Sequence, residues 1–258
     1  MLECGAGQLR YAEAGDGPPL VLLPKLGGWI AEWNDAAAGL ASRYRTIAID
    51  PPGHGGSQMR GNPPYIQSLT ETAAAIIAAL DTIGVETFSV AGASIGGCTA
   101  IVLAALWPER VARLALLSTS LAGQMSRAEL QRSDAAVMPG AFTPEGRPLP
   151  RTAADFAKFG PMRAAVIADQ NDSRAAAGLW LRPCERGAGR LGISSYLPRI
   201  EAPTLVMNAA AGHYVQYIPV AERMIRDVRF VTVPESGVFM HQEQPEVTAA
   251  HLRDFFGA

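Results

Sequence analysis

The chain has 258 residues, 48% of them apolar and 18% charged, which is enough to bury a large core within one α/β domain. Its 22 basic and 24 acidic residues give a formal net charge of −2 without any block of like charge. That balance excludes nucleic acid or an anionic membrane surface as the expected partner.

Cys4, Cys98 and Cys184 form neither a disulfide framework nor a metal-ligand spacing, which suits a reducing compartment. The opening MLECGAGQLR lacks the basic-then-apolar pattern of a signal peptide. The longest apolar runs, IVLAALW and AAAIIAAL, fall short of a membrane span. A cytoplasmic chain is therefore expected. No metal-ligand cluster and no Gly-x-Gly-x-x-Gly loop is present, so no cofactor is expected.

Apolar runs alternate with helical periodicity, the pattern of βαβ units around a parallel sheet. In chain order, buried strands are predicted at Leu20–Leu23 and Thr46–Ile49. A helix over Ser68–Ile83 opens with Ser-Leu-Thr-Glu, a capping box. A strand at Phe88–Ala91 precedes a helix over Ile95–Trp107 that stops before Pro108. A strand at Leu114–Leu117 follows.

Residues 121–200 break this alternation with repeated prolines and short helical pieces at Arg127–Arg132 and Ala153–Phe159. They are expected to form a cap inserted into a core made of residues 1–120 and 201–258. Phe156, Phe159, Leu179, Trp180 and Leu181 argue against disorder there. The core resumes with strands Thr204–Met207 and Arg229–Val233. Helices Pro219–Arg226 and Pro245–Phe256 carry proline near their starts, where a missing N–H does no harm.

The sharpest motif is Gly92-Ala93-Ser94-Ile95-Gly96, followed by Gly97, between the apolar run FSVA and a helical stretch. Gly-x-Ser-x-Gly at a strand–turn–helix junction presents a serine hydroxyl at a helix N-terminus. With Asp50-Pro51-Pro52-Gly53-His54-Gly55-Gly56-Ser57, Ala202-Pro203-Thr204-Leu205-Val206 and Glu243-Gln244-Pro245-Glu246, this resembles the α/β-hydrolase superfamily over nearly the whole chain. The resemblance implies an α/β fold with a mostly parallel, doubly wound sheet and a helical cap over a small-molecule substrate. It implies the backbone N–H groups of Ile95 and Leu26 as oxyanion donors.

Against that pattern, the run Pro203 to His213 puts Gly212 in the slot of the catalytic acid. The run Ser236 to Pro245 puts Val238 in the slot of the catalytic histidine. The loop Leu22-Leu23-Pro24-Lys25-Leu26-Gly27-Gly28 replaces the family's His-Gly with Pro-Lys. Lys25, one of only two lysines, either holds an anion in the pocket or is a surface residue in place of a glycine. His213 and His241 are the alternative bases, against plain roles at a loop rim and in the fold. His54 is expected to be structural, and Trp29 and Trp180 are candidates for the substrate wall.

A serine hydroxyl needs a base within hydrogen-bond reach to act as a nucleophile. The expected reaction is therefore non-hydrolytic: an enolate or alkoxide held by Ser94, Ile95, Leu26 and Lys25, as in a lyase, decarboxylase, isomerase or cyclase. The alternatives are a serine hydrolase with a rewired base and an inactive small-molecule binding protein. The sequence is compatible with a homo-oligomer and names no substrate.

Overall fold

The computed structural model of the protein describes residues 1–210 and 212–257. Its strands are β1 (Leu2–Cys4), β2 (Gly7–Leu9), β3 (Tyr11–Ala14), β4 (Pro19–Leu23), β5 (Arg45–Ile49), β6 (Gln58–Met59), β7 (Phe88–Ala93), β8 (Val111–Leu117), β9 (Thr204–Ala209) and β10 (Val228–Val233). Its α-helices are α1 (Asn34–Leu40), α2 (Leu69–Asp81), α3 (Ile95–Leu106), α4 (Arg127–Ala141), α5 (Ala153–Phe156), α6 (Ala164–Ala177), α7 (Leu181–Leu191), α8 (Ile218–Met224), α9 (Met240–Glu243) and α10 (Pro245–Phe256).

The main sheet has seven strands in the order β10-β9-β8-β7-β4-β5-β3, with only the edge strand β3 antiparallel to its neighbour. A small antiparallel sheet, β1-β2-β6, lies apart from it. Side chains on a strand alternate between faces, and here both faces are covered. Val21 and Leu23 of β4 enter one core with Ile76, Leu80, Ile101 and Leu103 of α2 and α3. Leu20 and Leu22 enter a second core with Trp33, Leu40, Leu252 and Phe255, against α1 and α10. No helix among the described residues is long and apolar enough to cross a membrane.

The expected parallel strands all form. The capping box at Ser68 is present, with the Ser68 hydroxyl accepting from Glu71 N–H and the Glu71 carboxylate accepting from Ser68 N–H. The stretch Arg10-Tyr11 to Gly15, which resembles the family's opening strands, forms β3; the antiparallel strands β1, β2 and β6, each two or three residues long, were not foreseen. The region between β8 and β9 is far more helical than its prolines suggest. The piece foreseen at Arg127–Arg132 extends to Ala141, and α6 and α7 are additional.

Helix α7 contains Pro183, Gly187 and Gly189, residues that disfavour a helix interior. Tertiary packing overrides that propensity. Gly187 lies so close to the Gln67 carbonyl that an added Cβ would stand 1.8 Å from its oxygen.

From β4 the chain first adds β5 on one side, then returns to add β7 on the other. The crevice at the C-terminal ends of β4 and β7 is therefore a topological switch point, where open α/β sheets bind ligands. The loop Pro24–Gly28 and the Ser94 turn both lie there.

The elbow at that point depends on missing side chains. A Cβ on Gly92 would stand 2.4 Å from the carbonyl carbon of Gly96. Gly92→Ala should cost about 1–3 kcal/mol, the usual penalty of overpacking, read as a lower urea-unfolding midpoint with unchanged slope.

Candidate active site

Ser94 stands between β7 and α3 at φ 53° and ψ −114°, a conformation that a residue with a Cβ adopts only under constraint. Two demands meet there. The Ser94 N–H continues the sheet by donating to Leu117 O at 2.9 Å, while Ile95 already begins the helix. A Cβ on Gly96 would stand 2.4 Å from Leu23 O. The helix N-terminus, with its unpaired N–H groups, is thus pressed against the loop that leaves β4. Ser94 and Ile95 are half-buried.

That loop is shaped by a carboxylate. Glu32 is 3% exposed. Its Oε1 accepts from Lys25 N–H at 2.8 Å and lies 3.1 Å from His241 Nε2. Lys25 Nζ is 3.9 Å from Glu32 Oε2, 3.4 Å from Ser173 Oγ on α6 and 3.4 Å from Leu26 O. Burial outweighs the attraction of Glu32 and lowers the Lys25 ammonium to about 8. The loop closes through Gly28 N–H to Lys25 O at 2.8 Å, with Leu26 in the middle of the turn. Lys25 is thus neither a surface residue nor on the wall of the large cavity described below. It fastens the loop to α6.

The two slots that the sequence comparison singles out are neighbours in space. A Cβ built on Gly212 would be 3.0 Å from Val238 Cγ1. Val238 is buried with Phe156 and Phe239, and Tyr214 packs against this apolar cluster. The side chain that adjoins Ser94 is that of Tyr214, whose phenol interacts electrostatically with the Ser94 hydroxyl. Burial pushes the Tyr214 phenol above its ordinary range, so it keeps its proton at neutral pH. Sequence reasoning missed Tyr214; its one signal was a hydroxyl two residues beyond the acid slot. It also missed Glu32, a lone carboxylate in the apolar stretch Ile30–Trp33.

His241 is fully buried, with Nε2 at Glu32 and its ring 4.7 Å from that of Trp33. His213 is exposed, its ring 4.3 Å from that of Tyr214. His54 is buried with Nδ1 3.1 Å from Pro52 O, and burial holds it down to about 4.

Both tryptophans contact the helical segment or the loops beneath it. Trp29 Nε1 donates to Asp169 of α6 at 2.8 Å. Trp180 lies flat against Gly53, where a Cβ would be 2.1 Å from its ring. A cavity of about 610 Å³ lies against the first turn of α3, lined by Tyr214, His213 and Cys98 among others, but by neither tryptophan. Cys98 begins one helical turn after Ser94, and its N–H donates to Ser94 O at 3.2 Å. Among the described residues no group of three or more His, Cys, Asp or Glu side chains is placed to hold a metal ion.

Residues 18–147 match the family model of the alpha/beta hydrolase fold, half of the chain. The chain belongs to the α/β-hydrolase fold family. A pyrrolizixenacetamide deacetylase of Xenorhabdus hominickii is 27% identical over 98% of this chain and 96% of its own. The dihydrolipoyllysine-residue acetyltransferase component of the acetoin cleaving system of Pseudomonas putida is 36% identical over 47% of this chain. The match spans only 33% of that relative's length. A hydrolase from Pseudomonas aeruginosa superposes with TM-score 0.80 at 24% identity, covering 100% of this chain and 98% of that one, and supports the fold. Further partial matches include esterases. The relatives thus point towards hydrolysis rather than the non-hydrolytic reaction expected from the sequence.

Two outcomes follow from the buried charges and rings. Glu32→Ala leaves Lys25 without its counter-charge and should cost about 3–5 kcal/mol in denaturant unfolding. His54 binds its proton near 4 in the folded state and near 6.5 when unfolded. Its stabilisation is therefore complete above pH 6.5 and is lost as pH falls towards 4. Between about pH 7 and 5 the wild type should lose about 2 kcal/mol more than His54→Gln, measured by urea unfolding at each pH.

Proposed function

We propose that this α/β-hydrolase-fold protein is an enzyme that polarises the carbonyl of a small acyl compound at Ser94. The observation that carries the reading is the strained Ser94 at the switch point, with the neutral phenol of Tyr214 next to it. The Ile95 and Leu26 N–H groups are the proposed oxyanion donors, with the two hydroxyls beside them. Preorganised donors of this kind stabilise developing negative charge on oxygen. The helical segment from α4 to α7 is the proposed cap.

Gly212 and Val238 supply neither a carboxylate nor an imidazole, and neutral Tyr214 is a hydrogen-bond donor, not a base. Ser94 is then a poor nucleophile. Oxyanion stabilisation and positioning alone leave about 10³–10⁴-fold catalysis over water. That suffices for acyl compounds whose leaving group departs without being protonated, such as phenol, enol or thiol esters. Water attacks the polarised carbon, the bond to the leaving oxygen or sulfur breaks, and a carboxylic acid and the free phenol, enol or thiol result. The deacetylase relative and the partly matching esterases support hydrolysis.

A second reading keeps the same donors for an enolate or alkoxide in a reaction without water. It is favoured by the apolar surroundings that Val238 shares with Phe156 and Phe239. A panel of aryl esters and thioesters, run in ¹⁸O-labelled water, separates the two. Hydrolysis places label in the acid product, whereas turnover of carbonyl compounds without label incorporation sinks it. Ser94→Ala should lower kcat/KM by about 10²–10³, the cost of an oxyanion-site donor. Tyr214→Phe should lower it by about tenfold, and a fluorophosphonate probe should leave Ser94 unmodified. Equal rates in wild type and Ser94→Ala would remove the serine from the chemistry.

A further inference from the structure

The cavity against the first turn of α3 is strongly cationic. Among the described residues its wall carries Lys158, Arg182, Arg186 and Arg190 against a single carboxylate, Glu185. The chain as a whole has net charge −2, so this concentration of positive charge is local.

The placement follows from the helix. Arg182, Arg186 and Arg190 are spaced four residues apart on α7 and so share one face. The orientation of that helix is set on another side, where Gly187 lies against the Gln67 backbone and Pro183 O accepts from Gln67 N–H at 3.0 Å. Like charges four apart on a helix repel.

The guanidinium planes are held in place by other groups. Arg182 donates to Glu185 at 2.5 Å and lies 5.7 Å from the Phe142 ring centroid. Arg186 lies 4.2 Å from the Tyr65 ring centroid. Glu185 also interacts electrostatically with Arg151 and Arg174, so one carboxylate is shared among several cations. Arg174 is 4% exposed, and its Nε and Nη2 have no hydrogen-bond acceptor.

Lys158 enters from the turn after α5 and stacks 5.1 Å from the Phe159 ring. That ring is 6.5 Å from His213, at the Tyr214 end of the cavity. The cations therefore border a space that Tyr214, the neighbour of Ser94, also lines. A guanidinium fork matches a carboxylate or phosphate and holds it bidentately.

We propose that the substrate is an anionic acyl compound, its carbonyl at Ser94 and its carboxylate or phosphate on the Arg182–Arg186–Arg190 face of the cavity. This rests on the proposed carbonyl site for the position of the reacting end. The anionic end is an independent statement about binding.

Equilibrium binding tests it without any turnover, by titration calorimetry on the whole chain. Three benzamides share one amide carbonyl and differ in the tail: N-butylbenzamide (neutral), 4-benzamidobutanoate (carboxylate) and 3-benzamidopropyl phosphate. At least one charged compound should bind about tenfold or more tighter than the neutral one, about 1.4 kcal/mol. The tighter of the two charged compounds identifies the anion.

Arg186→Gln and Arg190→Gln should each reduce that preference, and Arg186→Lys should retain part of it. Arg226→Gln, an exposed arginine on the far loop, should leave it unchanged. Circular dichroism melting confirms that each variant is folded. Equal binding of all three compounds, binding of none, or a preference unaffected by the α7 substitutions overturns the proposal. If the charged tail is preferred while no ester is turned over, the hydrolytic reading fails and the anion site stands. Turnover without charge preference gives the reverse.

Discussion

The buried carboxylate of Glu32 holds together more of the working end of this molecule than any other single group. One oxygen accepts the Lys25 N–H and faces the His241 ring, and the other faces the Lys25 ammonium. Those contacts fix the loop after β4, the segment that carries Lys25 and Leu26. Through Lys25 and Ser173 they tie that loop to α6. A charge this deep is tolerated only when paired and hydrogen-bonded. The histidine and the lysine are therefore committed to structure, although either residue type in isolation would suggest chemistry.

Around this anchor, polar contacts add to the apolar ones between core and helical segment. Trp29 and Gln242 both donate to Asp169, and Gln170 donates to Gln242 at 2.6 Å. Arg163 pairs with Glu243. Val238 N–H donates to Phe159 O at 2.8 Å, so the loop that carries Val238 is itself bonded to the helical segment. The helical segment also contributes the cations that line the cavity.

The chemical character of the crevice follows from what surrounds one hydroxyl. An imidazole beside Ser94 would make it a nucleophile; the phenol of Tyr214, which keeps its proton, does not. The proposed activity rests on that difference. So does the expectation that substrates bring their own good leaving group or their own charged handle.

Much of the fold was legible because its signals are local. Parallel strands covered on both faces read as unbroken apolar runs, and the capping box at Ser68 and the prolines after each break mark the helix limits. The spacing of Gly92, Ser94 and Gly96 marked the elbow, since a Cβ on either glycine would stand 2.4 Å from neighbouring backbone. Gly212 and Val238 lie beyond the ends of two neighbouring strands, and their closeness emerged only from the structure. Tertiary structure alone decided which side chain meets Ser94 and where each charge is spent. Tyr214, Glu32 and the α7 arginines acquire their roles through contacts between segments far apart in the chain. Helix α7 itself forms against its own propensity. Such contacts depend on three-dimensional packing, which residue spacing does not encode.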